Sequence, residues 1–187
     1  MNKKIRTITE TAVMIALLVS LQALTKPLGQ VVTGSCVNTI LAVSALIAGP
    51  YAGIAVALVS PILALLLGIA PQVLTVPAIM VGNTVFVLAL HYLTRLGEGK
   101  LPQVAASLIA WVTAAVSKFL VLYGIVNGLV CGLLSPSLLE SGMLKPPMLK
   151  LLPATFGWPQ LVTALIGGGL ALSIVPVLRR ALKKNKE

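Results

Sequence analysis

Apolar residues run in long uncharged stretches along this chain, and short segments rich in proline, glycine and polar residues separate them. Most of the stretches approach the ~20 residues that a helix needs to cross the hydrocarbon core of a bilayer. The pattern therefore predicts one all-α domain over residues 1–187, an integral membrane bundle of six transmembrane helices. The expected spans are 7–25, 33–48, 50–68, 77–94, 103–134 and 158–178. The three longer connections are residues 26–35, 69–77 and 135–157.

The first predicted helix carries a strip of small residues. These residues recur every three or four positions, so they share one face of a helix. They are Thr9, Ala12, Ala16, Ser20 and Ala23. In lipid, a strip of small side chains lets another helix approach closely. That neighbour is either another helix of this chain or a different protein, and the spacing alone leaves both interpretations open.

Composition supports the membrane assignment and excludes an ordinary soluble domain. Hydrophobic residues make up 58% of the chain and charged residues only 10%, whereas soluble domains carry about 25% charged residues. The net charge is +10, and ten of the fourteen lysines and arginines lie at the two ends or in the 95–100 loop. Basic residues collect on the cytoplasmic side of membrane spans. We therefore expect a multi-pass protein of the cell membrane with both termini cytoplasmic, and not a nucleic-acid-binding protein.

Polar side chains inside the predicted spans are the candidates for function, because burying them in lipid is costly. The candidate substrate-binding residues are Lys118, Asn83, Asn38, Asn127, Tyr123, Trp158 and Gln160. Lys118 is the only charge well inside a span and has no acidic residue near it in the pattern, which favours an anionic ligand. The structural alternatives are that the amides bridge helices and that Lys118 reaches toward the membrane surface.

Several kinds of chemistry are not predicted by the sequence. Gly97-Glu-Gly-Lys100 lacks the spacing and the following hydroxyl of a phosphate-binding loop, so we expect no ATP hydrolysis by this chain. No carboxylate relay, catalytic set or metal-ligand spacing is present, and we expect no catalytic residue, metal or cofactor. His91, the lone histidine, is expected at the membrane interface. If such a chain takes part in active transport, we expect a partner to supply the energy.

The architecture resembles that of a known family. Six short spans, the motif Ala12-x-x-x-Ala16 and the turn Ala48-Gly-Pro-Tyr-Ala-Gly53 look like the substrate-binding S component of energy-coupling factor (ECF) transporters. The resemblance implies a non-catalytic subunit that binds a vitamin at the outer side of the membrane. It also implies a transmembrane coupling protein and two cytosolic ATPases as partners. The family's alanine motif contacts the coupling protein and maps here onto Ala12 and Ala16, extended by Ser20.

The substrate is predicted from the few polar groups available. The resemblance implies aromatic-rich pockets in the thiamine and riboflavin members, whereas aromatic residues make up only 4% of this chain, so a small, polar, anionic substrate fits better here. Pantothenate is the preferred candidate, and the alternatives are lipoate, niacin, a pyridoxine-type vitamin and a hydroxymethylpyrimidine. Outside this family, the competing hypotheses are a stand-alone secondary transporter and a structural membrane protein without a ligand.

Overall fold

A computed structural model describes residues 3–68 and 72–184, and this part of the chain is helical with no strand. The helices are α1 Lys3–Thr25, α2 Gln30–Val43, α3 Pro50–Leu66, α4 Val76–Gly97, α5 Gln103–Tyr123, α6 Ser135–Glu140, α7 Met148–Phe156 and α8 Trp158–Lys184. Two helices continue as wider π-helical turns, α2 through Ser44–Ala48 and α5 through Gly124–Leu133. Short 3₁₀ turns at Lys26–Leu28 and Val73–Thr75 precede α2 and α4.

Five helical stretches of the described residues are long and apolar enough to cross a membrane. They are Lys4–Leu28, Gln30–Ala48, Val73–Gly97, Gln103–Leu133 and Met148–Leu182. The third predicted span is present as the shorter apolar helix Pro50–Leu66. The all-helical prediction is confirmed, and the number of crossings stays a prediction.

The second helix begins earlier than its sequence predicted. It starts at Gln30 rather than at residue 33, because Gly29 turns the chain with a φ of +90°, a conformation that favours glycine. Serine is a favoured residue at the start of a helix. Ser35 nevertheless lies inside α2, where its hydroxyl donates to the carbonyl of Val31 at 2.7 Å. Proline and glycine therefore mark a sharp turn here and not a ten-residue loop.

The predicted loop 135–157 also contains helices. α6 and α7 occupy much of it, and α7 packs against the extension of α5 and against α8. The apolar side chains Leu152 and Phe156 of α7 are buried in a small cluster with Leu122 and Val126. Of the predicted loop 69–77, residues 69–71 lie outside the described residues.

The core forms where α2 meets α8 and where α4 packs between α3 and α5. Close approach at the first contact depends on Gly167, since a Cβ there would lie 2.5 Å from the carbonyl oxygen of Ser35. Phe86 and Leu90 of α4 and Leu41 of α2 fill the space between these helices and are fully buried. This packing holds α2, α4, α5 and α8 around a common centre.

Helix α1 lies at the edge of the bundle and packs on α2 and α3. Leu18 and Val19 are its buried side chains. All five residues of the small-residue strip are exposed on its outer side. No other helix of the described residues covers the strip, and its role as a docking surface stays a prediction.

His91 is buried within the bundle. Its side chain is 8% exposed and extends from α4 to the end of α2, and its place at the membrane interface stays a prediction. Its Nδ1 atom lies 2.9 Å from the carbonyl oxygen of Ala45. A carbonyl oxygen only accepts hydrogen bonds, so Nδ1 carries the proton.

Candidate functional site

A cavity of about 340 Å³ opens at the end of the bundle remote from Lys3 and Lys184. Pockets for small molecules begin at about 300 Å³, so this volume suits a ligand of vitamin size. The cavity is lined by residues of α1, α2, α4, α5, α7, α8 and the turn after α1. These are Gln22, Lys26, Gly29, Gln30, Thr33, Gly34, Val37, Asn38, Ile79, Asn83, Lys118, Thr155, Phe156 and Gln160.

Lys118 lies at the floor of the cavity and is 3% exposed. Its Nζ donates to Oδ1 of Asn38 at 2.6 Å and to Oδ1 of Asn83 at 2.7 Å. The Nζ also lies 5.6 Å from the centroid of the Phe86 ring, within the range of a cation–π contact. An ammonium has three N–H donors, so the two amides leave one donor for another acceptor.

The two asparagines differ in how their amide nitrogens are satisfied. Nδ2 of Asn38 donates to the carbonyl of Gly34 at 2.9 Å and to Oγ1 of Thr163 at 3.3 Å. Nδ2 of Asn83 is buried and has no hydrogen-bond partner. A buried donor without a partner costs about 1–3 kcal/mol. The floor of the cavity therefore holds an unsatisfied amide beside an ammonium, and both can donate to oxygen atoms of a ligand.

The charge of this site is positive. An ion pair joins Arg6 to Glu10 in α1, and it does not involve Lys118. No acidic side chain lines the cavity, whereas Lys26 contributes a second cation nearer its mouth. Nζ of Lys26 donates to the carbonyl of Gly68 at 2.6 Å. The arrangement attracts an anion, which meets the ammonium of Lys26 nearer the mouth and that of Lys118 at the floor.

The rim of the cavity ties α2 to the junction of α7 and α8. Nε2 of Gln30 donates to the carbonyl of Thr155 at 2.8 Å, and Nε2 of Gln160 reaches the same carbonyl at 3.4 Å. Gln22 of α1 lines the opposite side. A ligand that enters here passes amide groups on several helices before it meets Lys118.

The structure brings together four of the seven candidate binding residues. Lys118, Asn38, Asn83 and Gln160 all line the cavity. The remaining three, Tyr123, Asn127 and Trp158, do not line it.

Tyr123 and Trp158 lie on the outside of the bundle, 50% and 72% exposed, on either side of Phe119. The side-chain nitrogen and oxygen of Asn127 are buried without partners in the π-helical extension of α5. Neither position gives these residues access to the floor of the cavity.

Sequence reasoning did not select several rim residues as binding residues. Lys26, Gln30 and Thr33 belong to a segment predicted as a loop, where polar residues are ordinary. The available signal was their position directly after the first span, beside Pro27 and Gly29. That position places polar groups at the same end of the bundle as the starts of α4 and α8.

The fold and the cavity define a class, that of transmembrane helical proteins with a cavity of small-molecule size, floored by a lysine, at one end. A family model described as "ECF transporter, substrate-specific component" matches residues 6–179. The chain therefore belongs to the family of ECF transporter substrate-specific components, which are transport subunits. No curated protein and no solved structure gives a significant match.

Proposed function

We propose that this protein captures a small anionic micronutrient in the cavity floored by Lys118, with pantothenate as the first candidate. Lipoate, niacin, a pyridoxine-type vitamin and a hydroxymethylpyrimidine remain the other members of the panel. The supporting observation is the pairing of Lys118 with Asn83, whose Nδ2 atom is buried without a partner. A carboxylate accepts hydrogen bonds from an ammonium and from an amide, so it satisfies both donors.

The membrane arrangement is part of the same proposal. Helix α3 has 17 residues, which span about 26 Å at 1.5 Å per residue. That length approaches the ~30 Å hydrocarbon core, so we assign α3 as a sixth crossing. Six crossings place both termini on one side, and the basic residues there make that side cytoplasmic. The cavity then opens to the outside of the cell membrane.

The energy for uptake comes, in this proposal, from a transmembrane coupling protein and two cytosolic ATPases. The docking surface is the small-residue strip, with Ala12, Ala16 and Ser20 at its centre. Its five side chains are exposed on one side of α1, where they allow a helix of another protein to approach closely. Because all five side chains of the strip are small, none of them has to move for this contact.

Native mass spectrometry of the purified protein tests the ligand class directly. We expect a co-purifying small anion, and addition of that compound at 100 times its Kd stabilises the native state by about 2.7 kcal/mol. For a chain of this size the midpoint of thermal unfolding then rises by about 5–10 °C. A co-purifying cation would contradict the proposal, as would a panel in which no compound shifts the midpoint.

Co-expression with the coupling protein and the ATPases tests the partners. The tagged chain is expected to bring down all three in detergent. Uptake into proteoliposomes that contain this chain alone, without ATP, would contradict the proposal and favour a stand-alone transporter.

A further inference from the structure

The opposite end of the bundle contains two further cavities, remote from the micronutrient site. One chamber of about 370 Å³ is lined by His91, Arg95, Glu98 and Arg179 among others. An adjoining groove of about 390 Å³ is mostly apolar, with Val104, Leu108, Leu172 and Val175 in its wall. The chamber and the groove share Leu46, Thr94 and Arg179 as lining residues, so they are neighbours.

We propose that this pair of cavities binds one anionic phospholipid, with its phosphate in the chamber and part of an acyl chain in the groove. This inference goes beyond the proposed uptake function and does not depend on it. Its basis is the juxtaposition of two arginines with an apolar groove at the end of the membrane-spanning helices.

The chamber has the donors that a phosphate requires. Arg179 uses Nη2 to donate to the carbonyl of Leu46 at 3.0 Å, and a guanidinium has five N–H groups, so other donors remain. Arg95, near the end of α4, lines the same chamber. Glu98 is the acidic residue among those that line the chamber. Two arginines therefore outweigh one carboxylate.

The chamber also contains a polar atom without a partner. Nδ1 of His91 is occupied by the Ala45 carbonyl, whereas Nε2 is buried and unbonded. With the proton on Nδ1, Nε2 of the neutral ring is an acceptor. A headgroup such as glycerol supplies hydroxyl donors, while a choline headgroup brings a cation close to two arginines. The chemistry thus favours phosphatidylglycerol over phosphatidylcholine.

The groove indicates a lipid rather than a soluble phosphate. Its wall residues Val104 and Leu108 are 72% and 45% exposed on α5, a helix that is long and apolar enough to cross the membrane. The groove therefore opens toward acyl chains. Basic pockets between helices at this depth are typical sites for anionic headgroups. A free phosphate would leave the apolar groove empty.

The test is native mass spectrometry of the full chain taken from nanodiscs that contain equal amounts of phosphatidylglycerol and phosphatidylcholine. We expect selective retention of phosphatidylglycerol. Arg95→Gln should reduce this retention about tenfold or more, the factor that the loss of a charge-assisted hydrogen bond to the phosphate produces. Arg180→Gln is the matched control, because Arg180 is exposed, adjacent in sequence to Arg179 and not a lining residue.

A second variant keeps both arginines. Leu108→Trp narrows the groove and should also lower retention, whereas Ile109→Trp, exposed on the same helix and outside the groove, should not. Equal retention of the two lipids would overturn the proposal. It would also be overturned by equal losses in Arg95→Gln and Arg180→Gln, or by displacement of the lipid by inorganic phosphate alone. Ligand binding at Lys118 enters none of these measurements.

Discussion

Replacing Lys118 with methionine is the sharpest perturbation of the candidate site. Methionine has similar length and no N–H donor, so the change removes the ammonium while filling most of its volume. A hydrogen bond to a charged group contributes about 1.5–3 kcal/mol. We therefore expect Lys118→Met to weaken binding of a carboxylate ligand about 10- to 150-fold.

A matched pair of ligands isolates the charge. Pantothenate and pantothenol share a scaffold and differ in the carboxylate, as do niacin and its amide. The wild-type protein should prefer the anion, and Lys118→Met should remove most of that preference while changing affinity for the neutral compound less. For each ligand pair, isothermal titration calorimetry measures four affinities, those of the anion and of its neutral analogue for the wild-type protein and for Lys118→Met. Equal binding of anion and neutral analogue by the wild-type protein would refute the assigned role of Lys118.

The variant also changes the free protein, so its stability needs its own measurement. Removal of the Nζ leaves the Oδ1 atoms of Asn38 and Asn83 without this donor, at about 1–3 kcal/mol each. The loss of a buried cation offsets part of this cost, because its desolvation penalty disappears. Thermal unfolding without ligand reports the balance. Lys150→Met is the control, since Lys150 is exposed on α7 and does not line the cavity.

Three further predictions concern other parts of the fold. Ala16→Trp should abolish co-purification of the coupling protein but leave ligand affinity within about twofold. The control Ser173→Trp, at an exposed site of α8, should still bring down the coupling protein. Unfolding of Ala16→Trp would contradict a docking role. Gly167→Ala should lower the stability by about 1–3 kcal/mol because its Cβ would lie 2.5 Å from the backbone of α2. Gly124→Ala, with no atom within 4 Å of its Cβ, should show no such loss in a thermal melt. Trp158→Ala should leave ligand affinity unchanged in calorimetry, since Trp158 lies outside the cavity; a tenfold loss would show that it contacts the ligand.

The helical class could be predicted because apolar stretches of this length have one stable arrangement in lipid. The start of α2 was predicted less well. Gly29 joins the 3₁₀ turn Lys26–Leu28 to α2 through its positive φ. A run of polar residues beside Pro27 looks the same in a loop as in this turn. The backbone angles of Gly29 set the start of α2, and the pattern of polar residues does not reveal those angles.

The composition of the cavity floor was predictable, but its geometry was not. Lys118, Asn38 and Asn83 stand out as polar residues in apolar spans, yet they are separated by up to 80 positions. Their convergence depends on how α2, α4 and α5 rotate about their axes when they pack. The rotation of α5 that brings Lys118 into the cavity points Tyr123 outward, because a residue five positions later lies on a different face of the helix.

Helix α1 connects the two surfaces on which the proposed function depends. Gln22 lines the cavity, and Ser20, half a turn earlier, belongs to the exposed strip. Because α1 buries few of its side chains, small shifts of this helix against α2 and α3 cost less than shifts in the core. In the proposed function, ligand contacts at Gln22 and partner contacts at Ser20 would therefore act on the same helix. If ligand binding changes the affinity for the coupling protein by some factor, the coupling protein must change ligand affinity by the same factor, so calorimetry with and without the partner measures this coupling from either side.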